Sequence, residues 1–210
     1  VIYHNKVKTG TIIDIKGLKF SIGRAGSGTE RSGLTLMKGV GMGRDDVKGE
    51  YLGYFESSKA MKDKRIQGAN LCAGPPVAAV TDLFATPGMK AQILEFTDEQ
   101  INAINEKTAY PGFRYIIPAN TYPGQKEEIK TIAQPNFLGI RADVDADIVY
   151  KLTKTIYENL PYLHSIHQAT KFMKLESAMS GLPAPLHPGA LKYYKEKGLK
   201  IPDSLIPPGS

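Results

Sequence analysis

One short segment of the 210-residue chain concentrates groups able to hold an anion: Gly23, Gly26 and Gly28 interleave with Arg24, Ser27, Thr29 and Glu30. Glycine admits positive φ and close backbone approach, and Ser27 and Thr29 add hydroxyl donors. If a helix starts near Thr29, its first N–H groups lack intrahelical acceptors and point at whatever occupies the loop. The same residues also read as a plain strand-to-helix turn capped by Ser27 or Thr29. Neither nucleotide signature fits. No Gly-Lys-Ser/Thr follows the loop, and Gly-x-Gly-x-x-Gly is not met from Gly26 or Gly28. Glu30 would repel an anion, so its expected role is to brace the loop.

A second turn of this kind is Gly74-Pro75-Pro76, which precedes the apolar run Val77 to Phe84. Proline suits a first helical turn, where its missing N–H has no intrahelical partner. Tyr54 and Tyr122 are candidates to stack on or hydrogen-bond a ligand; packed tyrosines are the other reading. His187, before Pro188-Gly189-Ala190, is expected to cap a helix. Catalysis finds little support: Cys72 lies in an apolar stretch with no nearby His, and Ser27 lacks the Gly-x-Ser-x-Gly elbow. One Cys and four scattered His give no metal-ligand spacing and no intrachain disulfide.

The elements around these turns alternate. Gly17 to Gly23 has strand periodicity and leads through the glycine loop to a helix ending near Gly39 to Gly43. Glu50 to Phe55 reads as a strand, 56–65 as a helix, 68–74 as a buried strand and 77–84 as a helix. Lys90 to Phe96 is a further strand, and Asp98 caps a helix carrying Ile101 and Ile104. Residues 110–125, rich in Pro, Gly and Tyr, are expected to be extended and irregular, and Thr131 to Ala142 to form a longer strand. A helix over 147–163 presents Ile148, Val149, Leu152, Ile156 and Leu160 as one stripe. Short helices follow at 172–180 and 187–198, and a proline-containing tail lies over the surface. Such alternation predicts an α/β fold with mostly parallel strands, whose ligands sit at strand carboxyl ends. Both glycine turns occupy that position.

Composition narrows the function classes. Lysine plus arginine exceed acids by 27 − 21 = 6, scattered rather than blocked, and there is no Trp. That argues against nucleic acid as a partner and for a surface mildly favouring anions. No run of about 18 apolar residues exists to span a bilayer. The chain opens on Val1-Ile2-Tyr3, without Met or signal peptide, which suggests a processed or truncated product.

Four stretches, Ser21 to Glu30, Ala73 to Leu83, Ile117 to Gln125, and Pro185 to Ala190 with Tyr193 to Gly198, resemble the TAXI family of extracytoplasmic solute-binding receptors of TRAP transporters. Arg24 and Ala25 depart from the usual residues there, adding a cation beside the loop. The resemblance implies a type II periplasmic-binding-protein-like α/β fold in the periplasm, without cofactor or metal. It implies capture of glutamate or a related dicarboxylate for a TRAP-type membrane permease. By that likeness residues 1–4 are a hinge strand, 5–130 one complete lobe (lobe II), and 131–210 the C-terminal part of lobe I, whose remainder is absent. Ser27, Gly28 and Thr29 then hold the ligand carboxylate, Gly74 and Pro75 shape the opposite wall, and Tyr54 and Tyr122 approach the ligand. An anion-sensing or interaction module without a transport role is the alternative, ahead of an α/β enzyme.

Overall fold

A computed structural model describes residues 1–108 and 112–208, so Tyr110 and Pro111 of the expected irregular stretch, and Gly209 and Ser210 of the tail, lie outside the described residues. The chain forms two compact units, Val1–Gln134 and Pro135–Ser210.

The first unit is built on a five-stranded sheet. Its strands are β1 (Ile2–Tyr3), β2 (Lys19–Ser21), β3 (Lys48–Glu50), β4 (Gly68–Ala69) and β5 (Ala91–Gln92). They lie in the order β3-β2-β4-β1-β5. β2 runs parallel to β3 and β4, whereas β1 is antiparallel to both β4 and β5. Four strands therefore share one direction and β1 opposes them. Helices α1 (Gly28–Gly39), α2 (Tyr54–Lys62) and α3 (Ala78–Ala85) follow β2, β3 and β4 in turn, and α4 (Asp98–Thr108) follows β5. The expected α/β class is the class observed.

Side-chain alternation along β2 shows why helices cover both faces. Phe20 and Ile22 pack with Leu36 and Met37 of α1 and Ile104 of α4. Ser21, pointing the other way, accepts a 2.9 Å hydrogen bond from Ser57 Oγ of α2. On that second face Ala69 packs with Ala60, Met61 and Leu83. Gly39 lets α1 and α4 cross closely, since a Cβ there would lie 2.5 Å from Ile104 Cγ1 and 2.6 Å from its Cα. Overpacking of this kind costs about 1–3 kcal/mol. Gly39→Ala is therefore expected to lower the urea midpoint by the equivalent of about 2 kcal/mol, and an unchanged midpoint would contradict the packing.

Three expectations differ from the structure. Tyr54 and Phe55 begin α2 rather than end a strand, because Gly53 is extended and serves as the helix N-cap. Part of the stretch expected to be irregular is a regular strand, β6 (Phe113–Ile117), paired antiparallel with β7 (Ile129–Ala133). β7 stops well before Ala142, since Pro135 has no N–H to continue a ladder.

The second unit contains α5 (Ala146–Glu158), α6 (Leu160–Ile166) and α7 (Pro188–Glu196), with 3-10 turns at Gln168–Phe172 and Leu175–Ser177; the helix expected over 172–180 is replaced by the second of these. Leu186, Leu191, Tyr193, Tyr194 and Leu205 form its core. Asp145 caps α5 by accepting from the N–H groups of Asp147 and Ile148. The buried face of α5 is Val149 and Thr153, while Ile148 and Leu152 are exposed, so the predicted stripe is rotated from the one observed. His187 caps α7 as expected, its Nδ1 accepting from Gly189 N at 3.2 Å. Among the described residues no helix is long and apolar enough to cross a membrane.

Candidate functional site

Three helices of the first unit start at the carboxyl ends of three adjacent parallel strands. The order β3-β2-β4 places a switch point between β2 and β4, the crevice where open α/β sheets receive ligands.

The turn after β2 is shaped by two glycines. Gly23 has φ +128°, and a Cβ there would come within 2.8 Å of both Glu30 N and Thr29 Cγ2. Gly26 has φ +74°. This lets the loop fold back onto the first turn of α1. Ser27 is the N-cap, its Oγ accepting from Glu30 N at 3.2 Å. Glu30 does brace the loop. Its Oε2 accepts from Gly26 N at 2.7 Å, and Oε1 pairs with Arg44 Nη2 at 3.1 Å, leaving the side chain only 13% exposed. The Gly28 and Thr29 N–H groups have no acceptor among the described residues. The local charge balance suits an anion: Glu30 is neutralised by Arg44, while no ion pair engages Arg24 among the described residues.

Side chains from the other two strand ends lock onto this turn. Asn70 follows β4 and donates through Nδ2 to Ile22 O at 3.2 Å and Thr29 O at 2.9 Å. Tyr54, the first residue of α2, donates to Cys72 O at 2.5 Å and lies 2.9 Å from Thr29 Oγ1. Thr29, Tyr54 and the segment after β4 are thus brought together directly. Gly74 and Pro75 continue that segment, Gly74 exposed and Pro75 half-buried.

Tyr122 stands elsewhere. It is 4% exposed, its ring centroid lies 5.8 Å from that of Phe84, and its hydroxyl accepts from Val77 N at 3.1 Å. It supports the start of α3 from behind, where it is a packed tyrosine. Sequence reasoning misses Asn70. The signal for it is the single amide side chain among the small and apolar residues of 68–74. Cys72, exposed as a residue, has its thiol pushed above the ordinary value by desolvation, against a hydrogen bond with Ser32 that lowers it.

Comparison with known proteins gives a family match along nearly the whole chain: the sequence model of the NMT1-like family matches residues 1–198. Among solved structures there is a likeness to the periplasmic aliphatic sulphonate binding protein SsuA from Escherichia coli, at 13% identity and a TM-score of 0.39. That alignment covers 93% of this chain and 60% of SsuA, so the chain spans less than two thirds of that protein's length.

Proposed function

We propose, from the premise that this chain belongs to the NMT1-like family, that it is a solute-binding protein for a small organic anion. The observation that carries this is the braced turn at the β2–β4 switch point, where the N–H groups of Gly28 and Thr29 and the Ser27 hydroxyl converge. Glu30 is spent inside the loop on Gly26 and Arg44, which removes its objection to a negative ligand.

The resemblance to TAXI receptors narrows the reading to a periplasmic receptor that passes glutamate or a related dicarboxylate to a TRAP-type permease. In that reading Ser27, Gly28 and Thr29 hold the carboxylate, Gly74 and Pro75 form the facing wall, and Tyr54 braces Thr29. Residues 1–4 are then a hinge strand, 5–130 one lobe, and 131–210 part of the other. The reversed direction of β1 within the sheet supports its role as a crossing strand.

Energetics set the affinity this turn can reach. A carboxylate at a helix N-terminus gains about 0.3–1 kcal/mol, and each hydrogen bond to a charged group about 1.5–3 kcal/mol. Two or three such bonds amount to roughly 4–8 kcal/mol before ordering costs, whereas micromolar binding needs about 8 kcal/mol net. The turn alone is therefore expected to bind in the millimolar range, with tighter capture requiring an opposing wall. Isothermal titration with glutamate of a form that binds it tightly, with and without Ser27→Ala plus Thr29→Ala, tests the assignment. A loss of about tenfold or more is expected; unchanged affinity would remove these residues from the site.

A further inference from the structure

The second unit holds three of the four histidines, His164, His167 and His187. Two of them start helices. His187 Nδ1 accepts from Gly189 N at 3.2 Å at the head of α7, and His167 Nδ1 accepts from Ala169 N at 3.1 Å at the head of the 3-10 turn Gln168–Phe172. A backbone N–H only donates, so in both rings Nδ1 carries the lone pair and the neutral ring keeps its proton on Nε2. Serine, threonine, asparagine and aspartate are the usual caps, and they accept at any neutral pH. Histidine accepts only while uncharged, and it is the side chain whose charge changes between about pH 5 and 8.

A second proton leaves the His187 ring without a place in the fold. Nδ1–H would face Gly189 N–H, donor against donor. Nε2 is buried and has no hydrogen-bond partner among the described residues, so neither proton of the imidazolium meets an acceptor. The positive end of α7 adds repulsion. No carboxylate compensates. The acids on the elements around α7 are Asp145, Asp147 and Glu158 of α5, Glu196 of α7, Glu176 of the turn Leu175–Ser177 and Asp203 of the turn Asp203–Leu205. Asp145 caps α5, Asp147 pairs with Lys192, Glu158 pairs with Lys154 and Lys197, and Glu196 accepts from Tyr150. None of the six pairs with His187 among the described residues, and Lys151, Lys154, Lys192, Lys195 and Lys197 on the same helices share the sign of an imidazolium. Around His167, the groups of α6 and of its own turn able to carry charge are Tyr162, His164 and Lys171, with no acid among them. A buried cation lacking both acceptor and counter-ion is driven out to water.

We propose that His187, together with His167, is an acid-sensitive latch of the second unit: the neutral rings hold the two helix starts in place, and protonation releases them. Gly189 is buried, so release leaves its N–H without an acceptor and frees the helix that carries Leu191, Tyr193 and Tyr194 into the core. The stability that the caps supply is full where the rings are neutral and is lost as the pH falls. The unfolded chain takes up these protons freely, whereas the folded one gives up two hydrogen bonds to do so. The first unit has one histidine, His4, whose ring bonds the Gln92 side chain, so the latch belongs to the second unit. It does not depend on what the first unit binds.

Thermal unfolding followed by near-UV circular dichroism of the tyrosines reads the latch. Between about pH 7.5 and about pH 5.5, where ordinary carboxylates stay ionised, the midpoint of the second unit is expected to fall by about 5–10 °C. His187→Asn combined with His167→Asn keeps an accepting oxygen at both caps and removes the titration. Its midpoint is expected to move by less than about 2 °C over the same range. An undiminished loss in that variant would overturn the latch, as would a midpoint of the unaltered protein that does not fall. Ring 15N shifts of the unaltered protein test the geometry directly and serve if the double variant does not fold. Neutral His187 and His167 are expected to carry their proton on Nε2; a neutral His187 with its proton on Nδ1 would overturn the proposal.

Discussion

Gly189→Ala is expected to lower the thermal midpoint of the second unit by more than about 10 °C. A Cβ at Gly189 would lie 2.2 Å from Ala146 O, 2.7 Å from Tyr150 N and 2.9 Å from Val149 Cβ. Two of these three obstacles are backbone atoms of the first turns of α5, so no rotamer change can relieve them. Helix α7 must instead move away from α5, and with it Tyr193 and Tyr194, whose rings pack on Tyr157. Overpacking typically costs about 1–3 kcal/mol, and an obstacle made of backbone belongs at the upper end. For a unit of this size each kcal/mol shifts the midpoint by about 4–8 °C. Near-UV circular dichroism of the tyrosine cluster is the matching probe. Retention of both the midpoint and the tyrosine signal in Gly189→Ala would show that α5 and α7 do not meet at this glycine.

The same glycine explains one limit of sequence reading. The periodicity of α5 is legible, because Ile148, Leu152 and Ile156 recur at helical spacing. Which face is buried is decided by where another helix can approach most closely. The missing Cβ at Gly189 puts α7 against Val149 and Ala146 instead, and Ile148 stays 59% exposed. That choice depends on a residue some forty positions away and leaves no trace in local periodicity.

The glycine turn is legible for the converse reason. Gly23, Gly26, Ser27 and Glu30 act on one another within eight residues, so a capped, braced turn can be read from their spacing; that Ser27 and not Thr29 is the cap comes from the structure. Asn70 and Tyr54 reach the turn across the sheet, and only the strand order β3-β2-β4 reveals that they do. Tyr122 is placed by contacts outside the turn. From sequence it reads either as a ligand contact or as a packed tyrosine, and the packed reading is the one observed, its hydroxyl engaged by Val77 and its ring by Phe84. β6 escapes detection because its flanks, rich in turn formers, outweigh the β-prone Phe113-Arg114-Tyr115-Ile116-Ile117.

Asp14→Ala is expected to destabilise the first unit by about 3 kcal/mol at neutral pH, and by far less in acid. The carboxylate of Asp14, 7% exposed, gathers the connection between β1 and β2 around itself. It accepts from Lys8 N at 2.8 Å, Gly10 N at 2.9 Å, Thr9 N at 2.9 Å and Thr9 Oγ1 at 2.9 Å. Removing it leaves three backbone N–H groups without their acceptor and frees the loop whose Gly10 carbonyl accepts from Glu95 N. It also loosens the turn that inserts Ile12 and Ile15 into the core. Hydrogen bonds to a charged group contribute about 1.5–3 kcal/mol each, and bonds sharing one acceptor add less than their sum. Burial alone would raise the Asp14 carboxyl, but the hydrogen bonds from Lys8, Thr9 and Gly10 outweigh it and hold the group below its ordinary value. The sign follows from that direction. A carboxyl whose pKa is depressed by folding contributes stability that is fully present above its unfolded value, about 3.9, and is lost as the pH falls through the folded one. Urea midpoints of the unaltered protein and Asp14→Ala should therefore lie far apart at pH 7 and converge below about pH 4. A gap that stays constant from neutral to acid pH would mean that packing, and not the ionised carboxylate, holds this loop in place.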